Sequence, residues 1–390
     1  MNESAVRKTL TSVVVPGELE ARGRGWTVVR EVFEDLEPTP SPSSRRWPIA
    51  VAAVAVVLVA AAVTPPGRAV LGSVRDAIGR DRVVGVKGAQ PSLFSLPAPG
   101  RLLAVSTRGP WVVDPNGSKR LLGAYREASW SPYGKFVVAT KADELDTLEP
   151  GGRLHWSIAK PGITGARWGG TRTDTRIAYL SGGALHVIGG DGRDDRILVP
   201  RAAPVAPSWK SGDDHVLVYA TPNGRVRIVD TDSGHVNGGW QGSPKQLAYS
   251  PDGKLILARS PKALDVYNAI GFHLARITGG RFVDAAWAPA ADTLAYVTFD
   301  RATNRSTVWT VNREGTGRAQ QLFGGAGRIS GVTWSPDGRW VLASWDSADE
   351  WVFIRRGDGA TKVVAARASI TDQLNGHPGG TFPAVAGWSP

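Results

Sequence analysis

The sequence predicts an all-β chain built as a seven-bladed β-propeller, preceded by a single transmembrane helix and a short helical cytoplasmic tail. Three observations carry this reading: a repeated phrase, the even spacing of its aromatic residues, and an independent series of glycine-containing hairpin turns. The phrase is Ser129-Trp130-Ser131-Pro132-Tyr133-Gly134-Lys135, then Tyr249-Ser250-Pro251-Asp252-Gly253-Lys254 and Trp334-Ser335-Pro336-Asp337-Gly338-Arg339. Degenerate copies surround Trp168, Trp209 and Trp287, and a last one is Gly387-Trp388-Ser389-Pro390. The aromatic positions are separated by 38, 41, 40, 38, 47 and 54 residues. A period near 40 residues with four strands per unit is what a propeller blade needs.

In chain order, residues 1–46 read as a cytoplasmic tail. Leu19, Trp26, Val29 and Phe33 recur at intervals of seven, three and four and form a one-sided apolar stripe on a helix over about residues 18–36. Such a stripe needs a lipid surface or a protein partner to cover it, which makes it a candidate effector face. Pro38 through Ser44 is a linker by composition. Residues 47–64 carry no charge, and eighteen residues at 1.5 Å each give roughly 27 Å, close to a bilayer core. Arg45 and Arg46 precede this stretch, only Arg68 closely follows it, and Pro65-Pro66 stop the helix. That asymmetry places the N-terminus in the cytoplasm and everything after the span outside. The chain therefore reads as a single-pass protein of the cell membrane. A cleavable signal peptide, cut after Ala62, is the competing reading. Residues 65–100 read as a Pro-punctuated stalk, with a short helix over Gly67–Gly79.

Residues 101–390 hold the blades. Each unit should contain an inner strand ending at an aromatic anchor, a strand after the Ser-Pro-x-Gly turn, and an outer hairpin. The anchors are Trp130, Trp168, Trp209, Tyr249, Trp287, Trp334 and Trp388. Their expected role is burial between blades. The outer turns fall at Asn116-Gly117, Gly151-Gly152, Asp191-Gly192, Asp232-Ser233-Gly234, Ile270-Gly271, Glu314-Gly315 and Asp358-Gly359. Three strands precede the first anchor, and none follows the last. Joining them into one composite blade closes the ring and removes exposed sheet edges. A six-bladed ring is the alternative, if the terminal strand packs elsewhere.

Composition narrows the chemistry. The net charge is +11, and residues 1–46 hold seven basic and seven acidic side chains, so the excess lies in the rest of the chain. It favours an anionic lipid surface or envelope polymer, or an acidic protein segment, over nucleic acid. There are no cysteines, and the six histidines show no zinc-ligand spacing. No cofactor is expected. There is no Gly-x-Ser-x-Gly elbow. Asp232-Ser233-Gly234 sits in a hairpin turn, and Gly325-Ala326-Gly327 reads as a loop without a dinucleotide-binding context. Asp191, Asp194 and Asp195 are dense enough in carboxylate for calcium, although their turn explains them more simply. The chain is thus not expected to be an enzyme. Binding is expected on the face carrying the more irregular loops, where Arg201, Arg281, Arg301, Arg305 and Arg328 would form a ring. Those loops include residues 324–328 and the long connection 366–383.

The Trp-Ser-Pro-Asp-Gly-(Lys/Arg) phrase with its following aliphatic strand resembles the WD40-like (PD40) repeat of TolB-type propellers, in the manner of a membrane-anchored actinobacterial member. Residues 249–258 and 334–343 match closely, and 130–139 matches with Tyr133 in place of Asp. The resemblance covers residues 101–390 and implies an extracytoplasmic, non-enzymatic module that binds a protein or ligand. TolB itself has six blades and an added α/β domain, and this chain departs on both points. The plan of the chain also looks like that of membrane-bound anti-sigma factors. The alternative function is therefore transmembrane signalling, with the propeller as sensor and the N-terminal helix as effector.

Overall fold

The computed structural model describes residues 95–171, 173–212, 215–356, 362–375 and 380–390. The tail with Leu19, Trp26, Val29 and Phe33, the apolar stretch 47–64, the helix expected over 67–79 and the turn at Asp358-Gly359 lie outside the described residues. Among the described residues, no helix is long and apolar enough to cross a membrane.

Among the described residues, twenty-eight strands form seven antiparallel four-stranded sheets, one per blade. Blades 2 to 7 are contiguous in sequence. Their innermost strands are β4 (Glu127–Trp130), β8 (Thr164–Gly170), β12 (Ser208–Trp209), β16 (Gln246–Tyr249), β20 (Arg281–Trp287) and β24 (Gly331–Trp334). Blade 1 is composite. Its outer strands are β1 (Arg101–Ser106), β2 (Gly109–Val113) and β3 (Lys119–Leu121), and its innermost strand is β28 (Ala384–Ser389). β28 pairs with β1, placing Leu102 opposite Trp388 and Arg101 opposite Ser389. The ring closes with seven blades, because the last strand satisfies the edge that β1 would otherwise expose.

The apolar alternation of each strand feeds two blade interfaces, and the core accordingly falls into seven clusters, one between each neighbouring pair of blades. Between blades 3 and 4, Trp209 meets Ala178, Leu185 and Leu217. Between blades 7 and 1, Trp388 meets Leu102 and Leu342, with Phe353 edge-on at 5.8 Å. Burying one such indole removes about 200 Å² from water, worth roughly 5 kcal/mol.

Every predicted anchor lies at or near the end of an innermost strand. Trp168, Trp209, Tyr249, Trp287, Trp334 and Trp388 are buried, and Trp130 is partly buried beneath the Arg101 guanidinium. The indoles of three of these anchors also tie blade to blade. Trp209 Nε1 donates to Arg167 O (2.9 Å), Trp287 Nε1 to Ala248 O (3.1 Å) and Trp334 Nε1 to Ala286 O (3.1 Å). In each case the acceptor is the carbonyl just before the preceding blade's anchor.

The turn after the anchor is built by its own side chains. Ser250 Oγ accepts from Leu255 N (2.9 Å) and donates to Asp252 Oδ1 (2.6 Å), which also accepts from Lys254 N (3.2 Å). Ser335 and Asp337 repeat the arrangement. Gly253 and Gly338, both at φ 68°, supply the left-handed step. Asp252 and Asp337 are thus parts of turns.

Two details differ from the sequence reading. Leu96 and Ala98, expected in the stalk, are buried in the cluster between blades 7 and 1. The connection 366–383 contains the end of β27 (Lys362–Ala368) and a helix, α1 (Ile370–Asn375), whose Ile370 and Leu374 enter that same cluster. One and a half turns are too few to register as a helical period in sequence.

Candidate functional site

The four-stranded up-and-down blade has two faces. The turns after the anchors and the outer hairpin turns share one, here the turn face. The connections between blades and between the two middle strands share the other, the loop face. All five predicted arginines lie on the loop face, but they do not form a ring. Arg281 opens β20, Arg301 sits in the turn joining β21 (Thr293–Asp300) to β22 (Arg305–Asn312), and Arg305 is the first residue of β22. Arg328 lies just past β23 (Gln320–Ala326), in the connection to blade 7. These four form a crescent over blade 6 and its junction with blade 7. Arg201 stands apart, in the connection between blades 3 and 4.

The backbone under the crescent is well fixed. Asp300 Oδ1 accepts from Ala302 N (2.9 Å) and Oδ2 from Thr303 Oγ1 (2.7 Å), while Asn304 turns at φ 50°. Gly327 N donates to Asn304 O (2.6 Å), and Arg328 N donates to Ser347 Oγ (2.8 Å). Phe282 N donates to Pro261 O (3.0 Å), which brings the blade 5 turn and its exposed Lys262 beside Arg281. Lys262 was missed in sequence; its signal was the Ser260-Pro261-Lys262-Ala263 turn between two strands. Gly325 and Ala326, read as loop, are in β23. A Cβ at Gly325 would come within 2.6 Å of the Trp345 ring, so glycine there serves close packing.

The electrostatics of the crescent favour an anion. The Thr303 hydroxyl and the Ala302 amide hold the Asp300 carboxyl below the usual carboxylate range. Burial pushes Asp346 up, with Arg328 opposing. Glu350, 1% exposed at the start of β26 (Glu350–Arg355), is pushed up to about 8 by burial, with Asp349 adding to the rise. Glu350 is therefore largely neutral at pH 7.

A second concavity of about 770 Å³ lies along the central channel between the innermost strands of blades 2 to 5. Arg167, Lys210 and Lys245 line it, along with Tyr133, Trp168 and Trp209, and among the described residues no carboxylate does. Across the channel, Asp284 Oδ2 accepts from Val332 N (2.9 Å), tying blade 6 to blade 7.

The residues considered for chemistry are engaged otherwise. Asp195 Oδ1 accepts from Tyr179 Oη (2.5 Å) and Oδ2 pairs with Lys160 (2.6 Å), while Asp191 Oδ1 accepts from its own turn at Arg193 N (3.1 Å). Among the described residues no group of three His, Asp or Glu side chains could hold a metal ion. Ser233 Oγ accepts from His235 N (3.2 Å). The nearby His215 meets Asp232 Oδ2 through Nδ1 (2.9 Å) and Asp174 O through Nε2 (3.2 Å), so neither ring nitrogen serves a hydroxyl.

Comparison with known proteins agrees with this architecture. Residues 317–353, from the outer hairpin of blade 6 into blade 7, match the model of the WD domain, G-beta repeat (WD40). The fold is similar to a chain in the crystal structure of the mitotic checkpoint complex, at 18% identity and TM-score 0.53 over 72% of this chain and 100% of that one. It is also similar to a putative 6-phosphogluconolactonase from Bacteroides uniformis, at 14% identity and TM-score 0.50 over 68% and 97%. The Cps50 (Swd1) propeller domain of Myceliophteria thermophila aligns at 13% identity and TM-score 0.51 over 64% and 93%. At these identities the likeness is one of fold. No protein with a curated description matches the chain in sequence. The repeats are WD40-like and the domain is a β-propeller.

Proposed function

We propose that this chain is a non-enzymatic scaffold of the cell envelope, anchored by residues 47–64, whose extracytoplasmic propeller holds an anionic protein segment or envelope polymer. The observation that carries the reading is the crescent on the loop face. Arg281, Arg301, Arg305, Arg328 and Lys262 converge there, while Asp300 is committed to its own turn and Glu350 is neutral. Cations held on short, braced turns bind an anion without a large ordering cost. The TolB-type repeat phrase and the apolar stretch 47–64 support the envelope location.

The test replaces Arg301, Arg305 and Arg328 together by Glu and measures capture of an envelope extract at low and physiological salt. Capture should be lost in the variant, and in the natural chain it should weaken as salt rises. Unchanged capture rejects the crescent as the binding site. Anchoring is tested separately by resistance to alkaline extraction from membranes. Orientation follows from labelling single cysteines introduced at residue 5 and residue 301, since the chain has no cysteine of its own.

A further inference from the structure

Six outer hairpin turns lie among the described residues, at equivalent places on the turn face, so each serves as a control for the others. Five have small or polar tips: Asn116-Gly117, Gly151-Gly152, Asp191-Gly192, Asp232-Ser233 and Glu314-Gly315. The blade 5 turn departs from them. It presents Ile270 at 60% exposure and Phe272 at 72%, with Leu274 exposed just beyond and Val236 exposed on the adjacent strand β15 (Val236–Gln241).

This turn is held rigidly outward. Asn268 Oδ1 accepts from Ile270 N (3.1 Å) and Phe272 N (2.8 Å), and Asn268 O accepts from Gly271 N (3.0 Å). The turn rests on two glycines of blade 4. A Cβ at Gly238 would come within 2.3 Å of Ile270 O, and one at Gly271 within 3.0 Å of Gly239 N. The turn therefore packs backbone to backbone on blade 4, which requires glycine at both places. The charges beside them are quiet as well. Asp265 is the only carboxylate between residues 255 and 280, and its Oδ1 is bonded by His273 Nε2 (2.9 Å) and Arg276 Nε (2.7 Å). Within residues 255–280, then, no unpaired carboxylate stands beside the turn.

The same face receives the chain. Leu96 N donates to Pro115 O (2.8 Å) in the blade 1 turn, and Gly100 lies against Ser389 and Pro336 at the ends of innermost strands. Thirty residues, 65–94, connect this point to the uncharged stretch 47–64. The chain thus enters the described propeller on the turn face, the face opposite the arginine crescent.

We infer that the Ile270–Leu274 turn of blade 5 is a lipid contact, with Ile270 and Phe272 seated at the headgroup–acyl boundary of the bilayer that anchors the chain. This rests on the membrane-anchored reading given above. A rigid turn with apolar tips gains from lipid without losing backbone freedom, and it would fix the tilt of the propeller on its tether.

The test uses the full chain in vesicles of phosphatidylcholine and phosphatidylglycerol. Phe272→Cys is labelled with an environment-sensitive dye, and Arg301→Cys serves as the companion on the opposite face. The chain's lack of cysteine makes each label unique. The expected result is bluer emission at 272 than at 301, with several-fold stronger quenching by nitroxide lipids than by aqueous iodide. Equal iodide quenching at both sites, in a chain that still floats with the vesicles, overturns the lipid contact alone. Blue emission that nitroxide lipids fail to quench means a protein covers the turn, and also overturns it. Failure of the chain to float with vesicles overturns the anchored reading and the contact with it.

Discussion

Glu350→Gln is expected to stabilise the propeller in a pH-dependent way. In the folded chain, burial raises the Glu350 carboxyl from its ordinary 4.5 to about 8. At pH values between those limits the unfolded chain releases a proton that the folded chain keeps. A carboxyl shifted upward in this way costs stability as pH rises, at about 1.36 kcal/mol per pH unit. The cost is near zero below pH 4.5, about 3 kcal/mol at pH 7 and about 5 kcal/mol above pH 8, where it levels off. Glutamine matches the neutral acid in shape and never ionises, so the variant escapes the cost. For a domain of this size 1 kcal/mol moves Tm by roughly 2 °C, so the variant should gain roughly 6 °C over the natural chain at pH 7. Thermal unfolding followed by tryptophan fluorescence from pH 4.5 to 9 provides the assay. The informative quantity is the difference in Tm between the two proteins, because other titrations cancel in it. It should start near zero or slightly negative and grow between pH 5 and 8. Parallel curves over the whole range would show that Glu350 ionises freely, and would remove the argument that burial keeps it neutral.

Two further sets of substitutions test the fold. Trp388→Ala empties the cluster between blades 7 and 1 and should cost about 3–5 kcal/mol in urea unfolding; Trp130→Ala, at the less buried anchor, should cost less, and the reverse order would contradict the account of ring closure. Gly338 and Gly253 share a φ of 68°, but an added Cβ meets only Pro289 Cδ at 3.8 Å in the first case and Ser211 O at 2.5 Å in the second. Gly338→Ala should therefore cost about 1 kcal/mol and Gly253→Ala distinctly more, and equal urea midpoints would refute the distinction.

Much of the architecture was legible because local features recur from blade to blade. The Ser-Pro-Asp-Gly turn closes through its own serine and aspartate, and the anchor beside it is buried by the neighbouring repeat, so anchor spacing and the hairpin turns together gave the count of blades. The unpaired strands at 101–122 and the unpaired final strand implied one another. The face that carries the five arginines was legible too, since the order of turns decides which loops share it. The angular position of the arginines was not taken from the sequence, although Arg281 through Arg328 span about one repeat and so could not encircle the ring. Glu350 was hidden for a different reason: a charged residue at a strand's start reads as exposed, and only the covering of its blade by two neighbours reveals its burial. Phe272 and Ile270 gave a turn signal through Gly271, while their exposure depends on the glycines of blade 4, some thirty residues away in sequence.

The seam between β1 and β28 has a dynamic consequence. A linear repeat array frays from its two ends, because a terminal repeat has only one neighbour to lose. A closed ring has no such end, and any blade that detaches must part from two neighbours at once. The exception is blade 1, the single sheet whose strands are not joined by continuous chain. Opening between Leu102 and Trp388 requires no unfolding within a hairpin and converts the ring into an open array with two fraying ends. Amide protons along this pairing should thus exchange ahead of those in the other innermost strands, so the least protected of these pairings runs through the blade whose turn receives Leu96.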